Sequence, residues 1–256
     1  MTNIMLSGCG GRLGKSISAQ ISASADTRVI VGIEINPYAE NHTSDSFPVL
    51  PRPSDYTGTC DVIIDASHHT AAIPLLEYAK TKKIPVVIAT TGHTDEETSA
   101  IKKAALEIPV FYSRNMSVGV NLLLALVAKS AKILGEDFNI EIIEKHHNLK
   151  LDAPSGTALM LADAAAEGTP YAPEYTYSRN TVRKERATNE IGVHSIRGGT
   201  IVGEHEVMFC GPEEIITLSH SAQSRDVFSS GALRAALYVM TKPAGFYNMQ
   251  NLVGDI

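Results

Sequence analysis

The sequence predicts an α/β protein, with a Rossmann-like parallel-sheet nucleotide domain joined to an α+β domain that carries a mixed or antiparallel sheet. Three observations carry this. The first half alternates short apolar runs with helical stretches, as crossover helices on both faces of a parallel sheet require. A glycine loop, Gly8 to Gly14, follows the first apolar run and opens the first helix. In the second half, neighbouring strand-like segments follow one another, the pattern of an antiparallel or mixed sheet.

Taken in order, Ile4-Met-Leu, Val29–Ile33, Val62-Ile-Ile, Val86–Ala89 and Val110-Phe-Tyr read as buried strands. Between them, Lys15–Ser24, Ala71–Lys82 and Asp95–Leu106 read as helices. Val118–Leu134 is a long apolar helix, followed by a strand over Asn139–Glu144 and an alanine-rich helix over Ala158–Ala166. Gly168–Glu190 is polar and rich in turn formers, and reads as an extended surface excursion. Strands are then expected around Val193–Arg197, Gly203–Cys210 and Glu214–His220, with a helix over Ser230–Thr241.

Composition narrows the function. The 256 residues carry a formal net charge of −6 and a pI near 5.8, which gives no electrostatic case for nucleic acid and favours small-molecule chemistry. Cys9, Cys60 and Cys210 are odd in number and far apart, so neither a disulfide framework nor a paired-cysteine zinc site is indicated, and a reducing cytosol fits. The N-terminus reads as the first strand rather than a secretory signal. No apolar run is read as approaching the roughly 18 residues of a membrane span. The expectation is a soluble, cytoplasmic protein.

The glycine loop has the spacing Gly8, Gly11, Gly14, and Leu13 stands where the usual dinucleotide fingerprint has its third glycine. Glycines in such a turn let backbone amides approach a pyrophosphate. The motif alone is weak. Its position between strand and helix strengthens it, and so does Glu34, twenty residues past Gly14, where an acid accepts hydrogen bonds from the adenosine ribose. Arg12 and Lys15 either add charge beside the phosphates or stand solvated at the helix start. Two later loops, Ala89-Thr-Thr-Gly-His93 and Ser113-Arg-Asn-Met-Ser117, follow strands of the same sheet and are expected to line the cofactor crevice.

The densest chemistry lies in Glu144-Lys-His-His-Asn-Leu-Lys-Leu-Asp-Ala-Pro-Ser-Gly-Thr157. His146, His147 and Lys150 fall at a strand end and on the loop beyond, where scaffolds carry function. An imidazole titrates near neutral pH and passes protons, and an ammonium stabilises or protonates a developing anion. Downstream, Asp152–Thr157 reads as a helix N-terminus, able to receive a carboxylate or phosphate on free amides. A metal is demoted, because adjacent histidines point to opposite sides of a strand and no third ligand at zinc-like spacing follows. Glu144 keeps that option open.

This run closely resembles the signature of the 4-hydroxy-tetrahydrodipicolinate reductase family, enzymes of bacterial diaminopimelate and lysine biosynthesis. The resemblance extends in order through Gly8–Gly14, Ala89–Gly92, Arg114–Asn121, Ile196–His205 and Ser221–Gly231. It implies hydride transfer from NADH or NADPH to a small cyclic imine dicarboxylate, with loss of water. It further implies His146 as acid/base, Lys150 as proton donor, and His147 with the Gly156 and Thr157 amides as holders of a substrate carboxylate. The cofactor residues it implies are Gly8, Cys9, Gly10, Gly11, Arg12 and Leu13 for pyrophosphate and Glu34 for ribose. Ala89, Thr90 and Thr91 with Ser113, Arg114, Asn115 and Met116 would serve the nicotinamide half, and no metal is implied. By the same resemblance, residues 1–116 and 227–256 form the dinucleotide domain and 117–226 the substrate and oligomerisation domain, with a homotetramer assembled through the second sheet. A site shared by two domains would call for hinge closure on substrate.

Two departures stand out. Many relatives place a basic residue directly after the ribose-binding acid, but Ile35 stands here, which leans toward NADH or dual use. The segment Thr181–Arg186 lacks the family's glycine-containing stretch and reads as a solvated loop without a role. Competing readings are a catalytically silent nicotinamide-binding redox sensor, which has no use for the His146/Lys150 pair, and a reductase or dehydrogenase of another small imine or amino dicarboxylate.

Overall fold

The computed structural model describes residues 1–35, 46–180 and 183–254. Thr181 and Val182, part of the segment assigned no role, lie outside the described residues. In chain order the elements are β1 (Thr2–Ser7), α1 (Arg12–Ser22), β2 (Thr27–Ile33), β3 (Val49–Leu50), β4 (Val62–Asp65), α2 (Ala72–Lys82), β5 (Val86–Ile88), α3 (Asp95–Ala104), β6 (Pro109–Tyr112) and α4 (Val118–Leu134). There follow β7 (Asn139–His146), α5 (Gly156–Gly168), β8 (Glu174–Thr176), β9 (Glu190–Arg197), β10 (Glu204–Cys210), β11 (Ile215–Ser221), α6 (Asp226–Val239), β12 (Gly245–Tyr247) and α7 (Met249–Gly254). The chain forms two compact units, Met1–Val118 with Asp226–Ile256, and Gly119–Arg225.

The first unit is built on a seven-stranded sheet of order β12-β6-β5-β4-β1-β2-β3, parallel throughout. Alternating side chains feed two cores. Ile4 and Leu6 of β1 join Ile17 of α1 and Ala232 and Ala235 of α6, whereas Met5 joins Leu75 and Leu76 of α2 and Ile101 of α3. Both faces are therefore apolar, which is why these strands read as continuous hydrophobic runs. The strand order reverses at β1, where β2 and β4 flank it on either side, and such a switch point opens a crevice beyond the strand ends. α3 starts with a reciprocal cap. Thr94 accepts from the Glu97 amide at 3.2 Å, and the Glu97 carboxylate accepts from the Thr94 amide at 2.8 Å.

The second unit has a five-stranded mixed sheet, β11-β10-β7-β9-β8, with β10 antiparallel to both neighbours and the pairs β7/β9 and β8/β9 parallel. One face is packed. Ile140, Ile142, Ile191, Val193, Val207 and Phe209 form a core with Leu161 and Ala165 of α5 and Leu123 and Val127 of α4. The opposite face carries Ile143, Met208, Ile196 and Ile215, the last two exposed at 46% and 60%.

Three sequence expectations change. The excursion Gly168–Glu190 contains β8, whose three residues are too few to show a period. In the same stretch Arg186 is tied down rather than solvated, donating to Glu141 Oε1 at 3.0 Å and to the Glu190 and Ile140 carbonyls, although Arg183–Glu185 are exposed. The helical run Val118–Asp137, 20 residues long, does meet the length and hydropathy of a membrane span, contrary to the reading of the apolar runs. Its buried side, with Val120, Leu123, Leu124, Val127 and Ala131, is spent on the second unit's core.

Candidate active site

In the first unit the glycine loop is a backbone cradle. Gly8 has φ of +75°, a conformation that side chains other than glycine rarely adopt, and its amide donates to the Ile33 carbonyl at 2.8 Å. A Cβ at Gly14 would run into the Gly8 carbonyl oxygen, so the start of α1 can press onto the loop only without a side chain there. Gly11 caps α1 with no side-chain hydrogen bond, which leaves the amides of the first turn to an anion. Lys15 uses its amide within the helix, and the side chains of Arg12 and Lys15 are exposed. The side chains of Cys9 and Leu13 turn into the core, so what this loop presents is mostly backbone. Burial, with the Glu34 charge adding to it, pushes the Cys9 thiol up to about 11.

Glu34 follows β2 directly and its carboxylate accepts from the Gly10 amide and the Ile35 amide, both at 3.2 Å. The acid thus stands against the loop that the sequence paired it with. Ile35 is 82% exposed. Asp65, the fully buried last residue of β4, escaped the sequence reading. Its carboxylate accepts from Thr90 Oγ1 at 2.8 Å and from the hydroxyl and amide of Ser67, so it ties the loop after β4 to the loop after β5. An acid closing the apolar run Val62-Ile-Ile was the available signal. In the β5 loop Thr90 is buried and Thr91 exposed, and Ala89 belongs to the core. In the β6 loop Ser113 Oγ donates to the Asn115 carbonyl at 3.0 Å, and Asn115 Oδ1 accepts from the Ser117 amide at 2.8 Å. Arg114 is exposed, and the Met116 side chain is core.

In the second unit the histidine and lysine segment is built on buried charge. His146 ends β7, and its Nδ1 lies 2.6 Å from Glu144 Oε2. Glu144, fully buried, also accepts from Arg197 Nη1 at 2.7 Å, Arg197 Nη2 at 2.8 Å and the Ser155 amide at 3.0 Å. Burial alone would push this carboxyl up. The hydrogen bonds from Arg197, His146, Ser195 and the Ser155 amide outweigh it and bring the group down to about 2. Ser155 caps α5, its Oγ accepting from the Ala158 amide at 3.1 Å and lying 3.0 Å from His205 Nε2. His205 packs edge-on against His146 with ring centroids 5.2 Å apart. Burial first, and the neighbouring His146 second, bring His205 down to about 4, so it is a neutral ring at physiological pH.

Lys150 closes a turn, its amide donating to the His147 carbonyl at 3.2 Å, and its Nζ donates to Asp152 Oδ1 at 2.7 Å. That ammonium holds the Asp152 carboxyl below its usual range. Arg197 also donates to the Asp152 carbonyl at 2.6 Å, so one guanidinium joins the acid under His146 to the loop carrying Lys150. His147 Nε2 lies 3.4 Å from Arg225 Nη2. Gly156 begins α5 in open space, with Thr157 beside it. Among the described residues no group of three or more His, Cys, Asp or Glu is arranged to hold a metal. Arg197 and His205 lie in a stretch whose motif the sequence reading matched without giving either residue a task. Both come from strands that meet β7 only through the sheet.

Such an assembly, an imidazole on a buried carboxylate beside an ammonium and a helix N-terminus, can move protons next to a bound anion. Comparison with known proteins agrees in kind. The family profile described as "Dihydrodipicolinate reductase, N-terminus" matches residues 2–116, and "Dihydrodipicolinate reductase, C-terminus" matches residues 119–253. A 4-hydroxy-tetrahydrodipicolinate reductase from Caldanaerobacter subterraneus subsp. tengcongensis is 47% identical over 253 residues, covering 99% of this chain and 98% of the relative. One from Clostridium tetani is 43% identical over 256 residues, covering 100% and 98%. The fold is similar to that of a dipicolinate-bound dihydrodipicolinate reductase from Paenisporosarcina sp. TG-14, with a TM-score of 0.81, 23% identity and coverage of 98% and 99%. With both family profiles spanning nearly its whole length, the chain belongs to the dihydrodipicolinate reductase family.

Proposed function

We propose that this protein reduces 4-hydroxy-tetrahydrodipicolinate to tetrahydrodipicolinate, consuming NADH or NADPH and a proton and releasing water, in diaminopimelate and lysine biosynthesis. The observation that carries the reading is His146 seated on buried Glu144 beside the start of α5, in a chain that also carries the Gly8–Gly14 cradle. The glycine cradle fits a dinucleotide, since side chains at Gly8 or Gly14 would fill it. Gly8, Cys9, Gly10, Gly11, Arg12 and Leu13 would hold the pyrophosphate, largely by backbone, and Glu34 the ribose. Ala89–Thr91 and Ser113–Met116 would hold the nicotinamide half. When bound, the nicotinamide supplies the hydride.

The chain's own task is charge and proton management. His147 and the amides of Gly156 and Thr157 hold a substrate carboxylate at the helix start. His146 exchanges a proton at Nε2 as acid and base while water is lost. Lys150 neutralises the negative charge that develops in the reduced ring and delivers a proton to it. Ile35, exposed and uncharged beside Glu34, provides no cation for a 2′-phosphate, and NADH preference or dual use follows. The largely unpacked face of the second sheet, with Ile143, Met208, Ile196 and Ile215, supports a homotetramer joined through that sheet. A soluble cytoplasmic enzyme without nucleic-acid or membrane partners fits the acidic charge and the unpaired cysteines.

The test follows NADH and NADPH absorbance with freshly generated substrate. Turnover is expected, and its absence would end the proposal. His146→Gln and Lys150→Ala should each lower kcat roughly a hundredfold or more while NADH binding stays intact. Near wild-type turnover in both would refute the site. A kcat/KM for NADPH more than about tenfold above that for NADH would overturn the cofactor leaning. Light scattering on the eluted protein should report four chains, and a monomer would remove the assembly.

A further inference from the structure

We propose that Glu144, clamped by Arg197, is a positioning residue that fixes the Nδ1–H tautomer of His146 and reserves Nε2 for proton exchange. This rests on the role just given to His146 and deepens it.

The geometry is one-sided. Glu144 is fully buried and each of its oxygens receives at least two donors: Oε1 takes Arg197 Nη2 and the Ser155 amide, Oε2 takes Arg197 Nη1 and His146 Nδ1, and the Ser195 side chain is a further donor to the carboxylate. An ionised carboxylate only accepts, so the short 2.6 Å contact requires that Nδ1 carry its hydrogen whether the ring is neutral or cationic. The neutral ring then has its lone pair on Nε2, and the cation gives up its proton from Nε2 alone. Among the described residues no hydrogen bond reaches Nε2. The flank of that atom is kept clear by Gly203, where a Cβ would come within 3.1 Å of it.

Arg197 is what makes the arrangement hold. Without a cation, a carboxylate buried beside an imidazolium would tend to take the proton and leave two neutral groups. A guanidinium forked over both oxygens keeps the negative charge on Glu144, so the proton stays on the ring. The Ser155 amide on the same carboxylate adds a geometric consequence. It sets the ring relative to the first turn of α5, where a substrate carboxylate is proposed to sit, by one shared acceptor rather than through the loop between them.

Nitrogen-15 NMR of the imidazole side chains in the cofactor-free protein reads the tautomer directly, with His146 assigned by comparison with His146→Gln. The neutral His146 ring is expected as Nδ1–H, and a ring protonated at Nε2 would overturn the proposal even if every variant failed to fold. Glu144→Gln should lose the tautomer preference and lower kcat by roughly tenfold or more, as a mis-set catalytic imidazole does. KM for the hydroxylated substrate and for NADH should stay within about twofold, because no binding group is removed. Glu144→Asp, which restores the charge, should recover part of the tautomer preference and of kcat. Wild-type kcat in Glu144→Gln, or a variant whose loss lies wholly in KM, would refute the positioning role. Wild-type protein with the Nδ1–H tautomer but no turnover would instead sink the proposed reaction and leave the tautomer assignment standing.

Discussion

The two units build their sites from opposite materials. The first makes room by omission. Gly8 and Gly14 lack side chains, and backbone amides remain as the surface proposed to bind the cofactor. The second fills its site with buried charge, and its shape depends on Glu144 staying ionised and His205 neutral, with Arg197, His146 and Ser155 as their partners. Backbone amides do not titrate and leave no room for added volume, whereas a site built on buried charge is intolerant of pH. The difference teaches where each unit can be broken.

Acid should break the second unit, with the largest effect. His205 has its pKa lowered from 6.5 to about 4 by burial, so the unfolded chain takes a proton that the folded one refuses. Its stabilising contribution is full above pH 6.5 and is lost as pH falls toward 4, by about 3 kcal/mol. A further loss follows between pH 4.5 and about 2 as Glu144 is protonated. Hydrogen exchange, corrected for the intrinsic pH dependence, should show amides of β7 and β10 losing protection by pH 4 well before those of β1 and β4. The half-buried His93, also lowered by burial, softens the contrast in the first unit. Equal loss in both sheets would erase the comparison.

Volume should break the first unit. Gly14→Ala sets a methyl against the Gly8 carbonyl and should cost about 2 kcal/mol of stability, the scale of overpacking. The same change should weaken NADH binding measured by fluorescence titration, while the acid response of β7 and β10 stays as it was. Unchanged NADH affinity would show that the cradle does not hold the cofactor. The smallest effect sharpens the comparison instead. Ile35→Arg, at a position already 82% exposed, should raise the NADPH-to-NADH ratio of kcat/KM by about tenfold, worth about 1.4 kcal/mol. No shift in that ratio would mean that another cation already serves a 2′-phosphate.

The contrast also governs what the sequence made legible. The alternation of apolar runs in the first half marks a sheet buried on both faces, and it revealed the strands from β1 to β6 that carry more than two residues. β3 has only two residues, and β8 and β12 match three-residue β5 in length but include Glu174, Thr176 and Gly245, so none shows the continuous apolar run that marked β5. Glu34 was legible because its partner loop lies at a known spacing. Asp65 and Arg197 were not, since Asp65 acts on Thr90 and Arg197 on Glu144, contacts that exist only once parallel strands are in register. In the glycine loop a local pattern already contains the proposed site. In the second unit the local pattern supplied His146, His147 and Lys150, and the sheet supplied what holds His146.

The forked contact between Arg197 and Glu144 has a consequence for how this site can vary through evolution. Loss of either partner alone leaves a buried charge without its counterpart, a change that is costly in itself and that also frees the imidazole above it. The two positions, 53 residues apart, therefore behave as one heritable unit. Among related chains they are expected to be retained together or exchanged together, and relatives that keep one while freely varying the other would show that the sheet tolerates the orphan.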